Sequence, residues 1–332
     1  MLKKYSITKG NSKLKTYFIY HIARLSISLF RVLPRAFCIW LLDILAVCAY
    51  YLDFRHRHIA RVNLQIAFPE LSSSERGRIA RKSFQNTARN LLEISRLPTL
   101  TPQNISSLVE YDNRQGLNNF RSAQEKGKGI LYLTGHFSAW ELLPTAHALY
   151  GHPLSFVTRP LDNDKLEQYL IKIRESKGNR VISKKKSARY ILEDLKARNT
   201  VGILMDQNTS LQEGIFADFF GIPAATSLSV ALFSLRTEAP VLPGYLTPMH
   251  KGRYTIKFLA PLEPIRSGDM SRDLEINTRL FNEIFEKIIR EQPESWLWGH
   301  KRWKNQPPGY PQDIYSLSPK QLEEFLNQKK RK

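Results

Sequence analysis

The sequence predicts an α/β fold, with a mostly parallel central sheet flanked by helices, preceded by an N-terminal helical membrane anchor. Three observations predict it. Between residues 72 and 290, short apolar runs alternate with helical stretches of about 10–18 residues, as in βαβ units. Hydrophobic residues make up 42% of the 332-residue chain, enough for a sizeable core. Residues 70–300 contain neither an internal repeat nor a linker, which indicates one domain.

The first 60 residues are predicted to form the basic membrane anchor. Eight basic residues lie at or before Arg35, and no acidic residue precedes Asp43. Residues 17–30 have the spacing of an amphipathic helix, and residues 37–52 form an apolar run that only Asp43 interrupts. Because a spanning helix needs about 20 apolar residues, this run either spans the membrane barely or lies in its surface.

The charge distribution supports an anionic membrane partner for this segment. The chain carries 50 Lys and Arg against 30 Asp and Glu, a formal net charge of +20. Basic residues lie on both sides of the apolar run, and Trp40, Tyr50 and Tyr51 are typical of a membrane interface. The alternative is a core helix of the globular domain, since a run of this length also fits there.

The remaining elements follow in order along the chain. Ser72 and Glu75 form a capping-box pattern that begins a helix over residues 72–95. The predicted strands cover residues 129–135, 153–158, 180–183, 201–206, 241–246 and 254–259. The predicted helices between them cover residues 138–150, 162–177, 187–198, 226–238 and 272–290. The α/β domain is placed at residues 61–315, and residues 316–332 are interpreted as a basic C-terminal tail with a solvated, frayed end.

Polar residues follow three of the predicted strands. His136 comes after the first strand, Arg159 after the second, and Asp206 with Gln207 at the end of the fourth. If these strands are parallel neighbours, the polar residues emerge at one edge of the sheet. Ligands of open α/β sheets bind beyond the carboxyl ends of the strands. The sequence therefore predicts a ligand site at this edge.

His136 and Glu141 form the sharpest pair of candidate catalytic residues. On one helix they would point about 140° apart, so they meet only if His136 lies in the loop before the helix. With Ser138 as the N-cap, Glu141 falls in the first turn and the histidine folds back toward it. A carboxylate on one ring nitrogen leaves the other nitrogen free as a base. The alternative is a capping box, in which Glu141 bonds the Ser138 backbone amide.

The segment around His136 resembles a motif of a known family. A histidine and an acidic residue with four residues between them mark the bacterial lipid A biosynthesis acyltransferases, the late lauroyl/myristoyl-type acyltransferases of lipopolysaccharide assembly. The resemblance extends from about residue 20 to residue 310. Further matching blocks are residues 61–70, 72–76, 159–163, 206–207, 219–221, 225–226 and 296–304.

The resemblance implies a membrane-associated O-acyltransferase. It would move a fatty acyl chain from an acyl thioester, on acyl carrier protein or coenzyme A, to a hydroxyl of a lipid A precursor. The location implied is the cytoplasmic face of the bacterial inner membrane, among anionic inner-leaflet lipids. Another glycolipid, an aminolipid or a lysophospholipid is the alternative acceptor, and a basic nucleic-acid-binding protein is the non-enzyme alternative. The sequence lacks a nucleic-acid-binding signature, so we expect no nucleic acid partner.

The resemblance also implies roles for single residues. His136 would be the general base on the acceptor hydroxyl, and Glu141 would orient His136 and stabilise its imidazolium. Arg159 and Arg174 would face phosphates or the developing oxyanion, with a solvated helix position as the alternative for Arg174. The remaining expected substrate-binding residues are Asp206, Gln207 and Thr226, the last as the N-cap of a helix.

Other chemistries lack their sequence motifs. The chain has no G-x-S-x-G elbow, no phosphate-binding glycine loop and no His-x-x-x-His pair. We therefore expect no metal and no cofactor beyond the acyl donor.

Two further segments each have two interpretations. Residues 219–223 form either a loop near the acyl chain or the membrane, or a turn that faces the core. Trp296, Trp298 and Trp303 mark either an interfacial surface or internal packing.

Overall fold

A seven-stranded sheet forms the centre of the protein, with strand order β1-β9-β8-β2-β5-β3-β4. The computed structural model describes residues 2–113, 116–185 and 187–330, with side chains from residue 16 to residue 329. Every described strand pair in this sheet is parallel except β8 with β9. The strands are β1 (Val109–Tyr111), β2 (Ile130–Thr134), β3 (Ser155–Thr158), β4 (Arg180–Ser183), β5 (Thr200–Leu204), β8 (Val241–Pro248) and β9 (Tyr254–Phe258).

A separate antiparallel hairpin, β6 (Gly214–Phe219) and β7 (Ile222–Ser227), lies beside this sheet. Helices cover both faces of the sheet, which confirms the predicted fold class. They are α1 (Leu2–Val32), α2 (Arg35–Leu52), α3 (Phe54–Ala67), α4 (Ser73–Arg96), α5 (Gly116–Glu125), α6 (Leu142–Leu149), α7 (Asp164–Glu175), α8 (Ser187–Lys196), α9 (Ser229–Thr237), α10 (Met270–Glu291) and α11 (Pro319–Lys330).

The hydrophobic core has two layers, one on each face of the sheet. Leu131 and Leu133 of β2 belong to the layer with α8, α9 and α10, whereas Tyr132 belongs to the layer with α5, α6 and α7. This division follows from the alternation of side chains along a strand. Because both faces are covered, the central strands read as continuous apolar runs in the sequence.

Helices α1 and α2 pack on α4 at one side of the domain. A stripe of buried residues with four-residue spacing, Cys38, Leu42, Ala46 and Tyr50, faces inward from α2. The acidic residue that interrupts the apolar run has a partner there: the Asp43 carboxylate accepts hydrogen bonds from Arg89 at 2.5 and 2.9 Å. Asp43 therefore belongs to the face of α2 that contacts the protein.

Some predicted element boundaries differ from the structure. The capping box at the start of α4 is confirmed. Helix α6 begins at Leu142 and not at Ser138, because Ser138 adopts a left-handed φ of 51°. The predicted helix start at Thr226 is wrong, since Thr226 pairs with Ile215 in the β6–β7 hairpin.

The C-terminal segment is helical where the structure describes it. Leu322 and Leu326 of α11 are buried in the core layer that contains Trp298. The last two residues of the predicted basic tail, 331–332, and the side chains of the lysines before residue 16 lie outside the described parts of the chain. The domain boundaries at residues 61 and 315 stay a prediction.

Candidate active site

Three parallel neighbours position the candidate site. Strand β2 pairs with β5, and β5 pairs with β3, all in the same direction. His136, Asp206 and Arg159 follow these strands and thus meet at one edge, as expected from the sequence. The helices that follow β2 and β3 in the chain start only several residues later, so the three residues lie in loops.

The His136 imidazole is held by Asp206. Its Nδ1 lies 2.9 Å from Asp206 Oδ1, and the His136 backbone N–H donates to Oδ2 at 2.9 Å. The Trp296 indole N–H also donates to Oδ2, at 2.7 Å. Because a carboxylate only accepts, Nδ1 carries the proton and Nε2 is left with its free electron pair.

Asp206 is buried and remains ionised. Burial by itself raises the pKa of this carboxyl group, but the electrostatic interaction with His136 and the hydrogen bonds from His136 and Trp296 outweigh it and lower the pKa to about 2. The side chain is only 1% exposed, against 21% for that of His136. A fixed negative charge thus faces the inner ring nitrogen of a partly accessible histidine.

Gly135 allows this close approach. A Cβ at Gly135 would lie 2.8 Å from Phe137 Cε2 and 2.9 Å from Asp206 Cγ, closer than real contacts permit. The loop is also fixed from the C-terminal side: Ser138 N–H donates to Ser295 O at 2.7 Å, and Leu297 N–H donates to His136 O at 3.1 Å. The histidine is therefore positioned by backbone contacts as well as by Asp206.

Glu141 is paired with Arg174 of α7. The guanidinium donates to both carboxylate oxygens, at 2.6 and 2.9 Å, and both side chains are largely buried, at 12% and 13% exposure. The interpretation of Arg174 as a solvated helix position is therefore wrong. The Ser138–Glu141 capping box is not formed either, since no helix starts at Ser138. Among the described residues, the hydrogen bonds of the His136 ring go to Asp206 and Gln207 and not to Glu141.

A cavity of about 710 Å³ opens at this edge of the sheet. Its polar end contains His136, Glu141, Arg159, Arg174 and Gln207. The Gln207 amide nitrogen lies 3.3 Å from both ring nitrogens of His136, and the ring of Trp140 meets that of His136 edge-on at 5.1 Å. The apolar part is lined by Leu143, Pro144, Leu154, Phe156, Val157, Ile191, Gly202, Ile203, Leu204, Leu228, Leu232 and Phe233.

Two predicted substrate-binding residues lie outside the cavity lining: Asp206, which contacts His136 instead, and Thr226. Thr226 is fully buried, and its hydroxyl accepts from Arg302 at 2.7 Å and from Asn282 at 3.2 Å. Burial lowers the pKa of Arg302 to about 10, a shift that the Asp206 charge opposes, so Arg302 stays cationic at neutral pH. Thr226 thus ties the hairpin to the C-terminal block, residues 296–304.

The C-terminal aromatic residues serve packing. Trp296, Trp298 and Trp303 are at most 2% exposed, so the interpretation as an interfacial surface is wrong. Phe219 and Phe220 likewise form a core-facing turn between β6 and β7. The three tryptophans pack in the core layer of α10, where Trp296 also reaches Asp206.

Sequence reasoning missed two residues near His136. Trp296 bonds Asp206, and His300 lines the same cavity. Burial lowers the pKa of His300 to about 4; the Asp206 carboxylate opposes this shift and His136 adds to it. Both residues belong to the C-terminal block. The spacing of the residues in this block does not predict that the block crosses the edge of the sheet.

Comparison with known proteins gives the family. The sequence model of the family described as bacterial lipid A biosynthesis acyltransferase matches residues 8–305. The chain belongs to this family. It is accordingly an O-acyltransferase of the lipid A biosynthesis type.

Curated relatives agree with this assignment. The chain is 27% identical to the lipid A biosynthesis palmitoleoyltransferase of Escherichia coli (strain K12), over 77% of this chain and 81% of the relative. It is 26% identical to the lauroyltransferase of the same organism, over 77% and 82%, and 24% identical to its myristoyltransferase, over 76% and 76%. The range matched by the family model, residues 8–305, includes the candidate site.

Proposed function

We propose that the protein transfers a fatty acyl chain from an acyl thioester, on acyl carrier protein or coenzyme A, to a hydroxyl of a lipid A precursor. The supporting observation is the His136–Asp206 pair at the polar end of a deep apolar cavity. A base at the mouth and an apolar interior fit a reaction that joins a hydroxyl to a hydrocarbon chain. Membership in the lipid A acyltransferase family gives the acceptor class.

His136 is the general base in this proposal. Its Nε2 takes the proton of the acceptor hydroxyl while the hydroxyl oxygen attacks the thioester carbonyl. The Asp206 carboxylate stabilises the imidazolium that forms, as in a triad whose serine is replaced by the substrate hydroxyl. The tetrahedral intermediate then expels the thiolate, which takes the proton from His136 and leaves as the thiol, so the histidine returns to its starting state.

We assign two arginines at the cavity mouth to the anionic groups of the reaction. Glu141 fixes the orientation of Arg174, and we assign the Arg174 guanidinium to the oxyanion that develops at the reacting centre. Among the cavity-lining cations that the structure describes, Arg159 is the one without a carboxylate partner. Arg159 is therefore the residue that we assign to a phosphate of the acceptor or the donor.

The enzyme works at a membrane surface in this proposal. Helix α2 is the one described helix that is long and apolar enough to cross a membrane. It is, however, packed along α4 and held at its start by Arg35, whose guanidinium donates to Glu93 at 2.6 and 2.9 Å. We infer that α2 lies in the interface of the cytoplasmic leaflet, with its outward apolar side chains in the lipid.

The test is acyl transfer by the purified protein to a lipid A precursor, followed by mass spectrometry. His136→Ala should abolish the mass increase of one acyl chain while the protein stays folded, with a lower melting temperature because the buried Asp206 carboxylate loses its partner. Parallel reactions with acyl carrier protein and coenzyme A thioesters identify the donor. Full activity of His136→Ala would contradict the proposed base, and acylation of only a lysophospholipid or an aminolipid would contradict the proposed acceptor.

A further inference from the structure

The central sheet opens between β3 and β5. Their pairing covers two residue pairs, of which Phe156 with Gly202 is the last, although both strands continue. On its other side, β3 pairs with β4 as far as its last residue, Thr158. Likewise, β5 pairs with β2 as far as its last residue, Leu204. The two strands therefore separate beyond Gly202, toward the edge that carries His136.

The cavity enters this opening. Val157 of β3 lines one side of the cavity, and Ile203 of β5 lines the other. The lining also includes residues from both faces of the sheet, Leu143 of α6 on one face and Phe233 of α9 on the other. The cavity thus passes between two strands, and its lining reaches the Phe156–Gly202 pair, where the two strands join.

Gly202 gives the inner end of the cavity its width. A Cβ at Gly202 would lie 3.4 Å from Leu154 Cδ1 and 3.4 Å from Phe156 Cβ. These are ordinary contact distances, so a methyl group fits there without displacing the backbone and fills space that is now open. Leu154 and Phe156 line the cavity and are themselves buried.

The side chain of Tyr132 forms a rigid part of the cavity wall beside Gly202. Tyr132 of β2 is the register partner of Gly202, lines the cavity and is 2% exposed. Its hydroxyl is hydrogen-bonded to His147 Nε2, and His147 Nδ1 lies 2.7 Å from the hydroxyl of Tyr111. Because all three side chains share this network, the Tyr132 ring has little freedom to move aside.

We propose that the opening between β3 and β5 holds the far end of the acyl chain, and that Gly202 sets the longest chain the enzyme accepts. This inference rests on the proposed function. Gly202 lies four residues before Asp206, about 13 Å of extended backbone. With bonds of about 1.5 Å, an extended zigzag chain advances about 1.3 Å per carbon, so this distance corresponds to roughly ten chain carbons. A side chain at Gly202 therefore shortens the site at its closed end.

The experiment compares Gly202→Ala with the natural protein on donors of ten to sixteen carbons. We expect kcat/KM to fall about fourfold or more for the longest donor that the natural protein accepts, because one methyl group removes about one methylene of depth. For donors four carbons shorter, we expect a change of less than about twofold. Leu154→Ala, which removes atoms at the same place, should shift the limit toward longer chains.

Controls separate this effect from a folding defect and from failure of the proposed function. Gly77→Ala on α4, where a Cβ would lie 3.7 Å from the Tyr50 hydroxyl and outside the cavity, should leave the length profile unchanged. Thermal stabilisation by free fatty acids of the same lengths reports chain binding without any turnover. If fatty acid binding shows a length limit but the protein transfers no acyl chain, only the proposed function is contradicted. An unchanged profile in both Gly202→Ala and Leu154→Ala overturns the inference about Gly202.

Discussion

At the scale of single residues, the site consists of two carboxylate pairs with different partners. Asp206 pairs with His136, and Glu141 pairs with Arg174. The acidic residue nearest to His136 in the sequence motif is thus not the one that contacts the histidine ring. Two separate effects follow, since Asp206 acts on the proposed base His136 and Glu141 acts on the cation Arg174.

Asp206→Asn should lower kcat about 10²- to 10⁴-fold with little change in KM. The amide keeps the size of the side chain but removes the charge that stabilises the imidazolium, and it allows the wrong tautomer of His136. Initial-rate kinetics at saturating donor measure this. Asp194→Asn is the matched control, because Asp194 is also buried but pairs with Arg180 away from His136. Equal losses in the two variants would refute a specific role for Asp206.

Glu141 and Arg174 should behave as one unit in a double-mutant cycle. We expect Glu141→Gln and Arg174→Gln each to reduce kcat/KM, and the double variant to lose little more than the worse single variant. Their coupling should exceed about 1 kcal/mol, since the side chains share two hydrogen bonds. Glu141→Gln combined with Asp206→Asn should be additive to within about 0.5 kcal/mol. Strong coupling in that second cycle would instead support a His136–Glu141 dyad.

At the scale of elements, the N-terminal helices combine a protein-facing stripe with an exposed apolar surface. From α2, Phe37, Trp40, Ile44, Leu45 and Leu52 remain exposed. The Asp43–Arg89 and Arg35–Glu93 pairs fix the rotation of α2 on α4 and thus decide which side chains face outward. An apolar run interrupted by an acid is therefore consistent with a helix that is half in lipid and half on protein.

Replacing exposed residues of α2 should release the protein from membranes. Trp40 and Leu45 are 58% and 50% exposed, and we expect Trp40→Glu/Leu45→Glu to weaken binding to anionic phospholipid vesicles at least tenfold. Vesicle flotation measures the bound fraction. Tyr190→Glu on α8, where the tyrosine is 42% exposed, should bind as the natural protein does. Unchanged flotation of the α2 variant would contradict the proposed interface.

At the scale of the whole molecule, buried neutral histidines link stability to pH. Burial lowers the pKa of His147 to about 3, with the nearby His152 adding to the shift, and burial is also the main cause for His300. An unfolded histidine has a pKa of about 6.5. Between these values the unfolded chain binds protons that the folded chain does not, so acid favours unfolding.

The stabilisation from these histidines should be complete above about pH 6.5 and should decrease as the pH falls toward 4. Each histidine contributes a slope of about 1.4 kcal/mol per pH unit to the free energy of unfolding. His147→Gln should therefore flatten the curve by about that slope. Urea denaturation at pH 7, 6 and 5 checks this, and equal slopes in the two proteins would contradict it.

Sequence alone determined the fold class, the edge that carries the site and the family. Alternating apolar runs and helical stretches predict a parallel sheet, and polar residues after its strands identify the edge. These features are local, because each depends on neighbouring positions in the chain. The sequence does not predict the short strand β1 or the β6–β7 hairpin, since neither contains a long periodic run of apolar residues.

Only the tertiary structure decided which carboxylate meets His136. Asp206 is 70 residues away and reaches the histidine because β5 lies next to β2 in the sheet. Strand order is a non-local property, and local spacing instead suggested Glu141. The depth of the cavity depends in the same way on where β3 and β5 separate, at Gly202. The sequence thus shows which residues have reactive side chains. The order of the strands in the sheet determines which of these side chains contact one another.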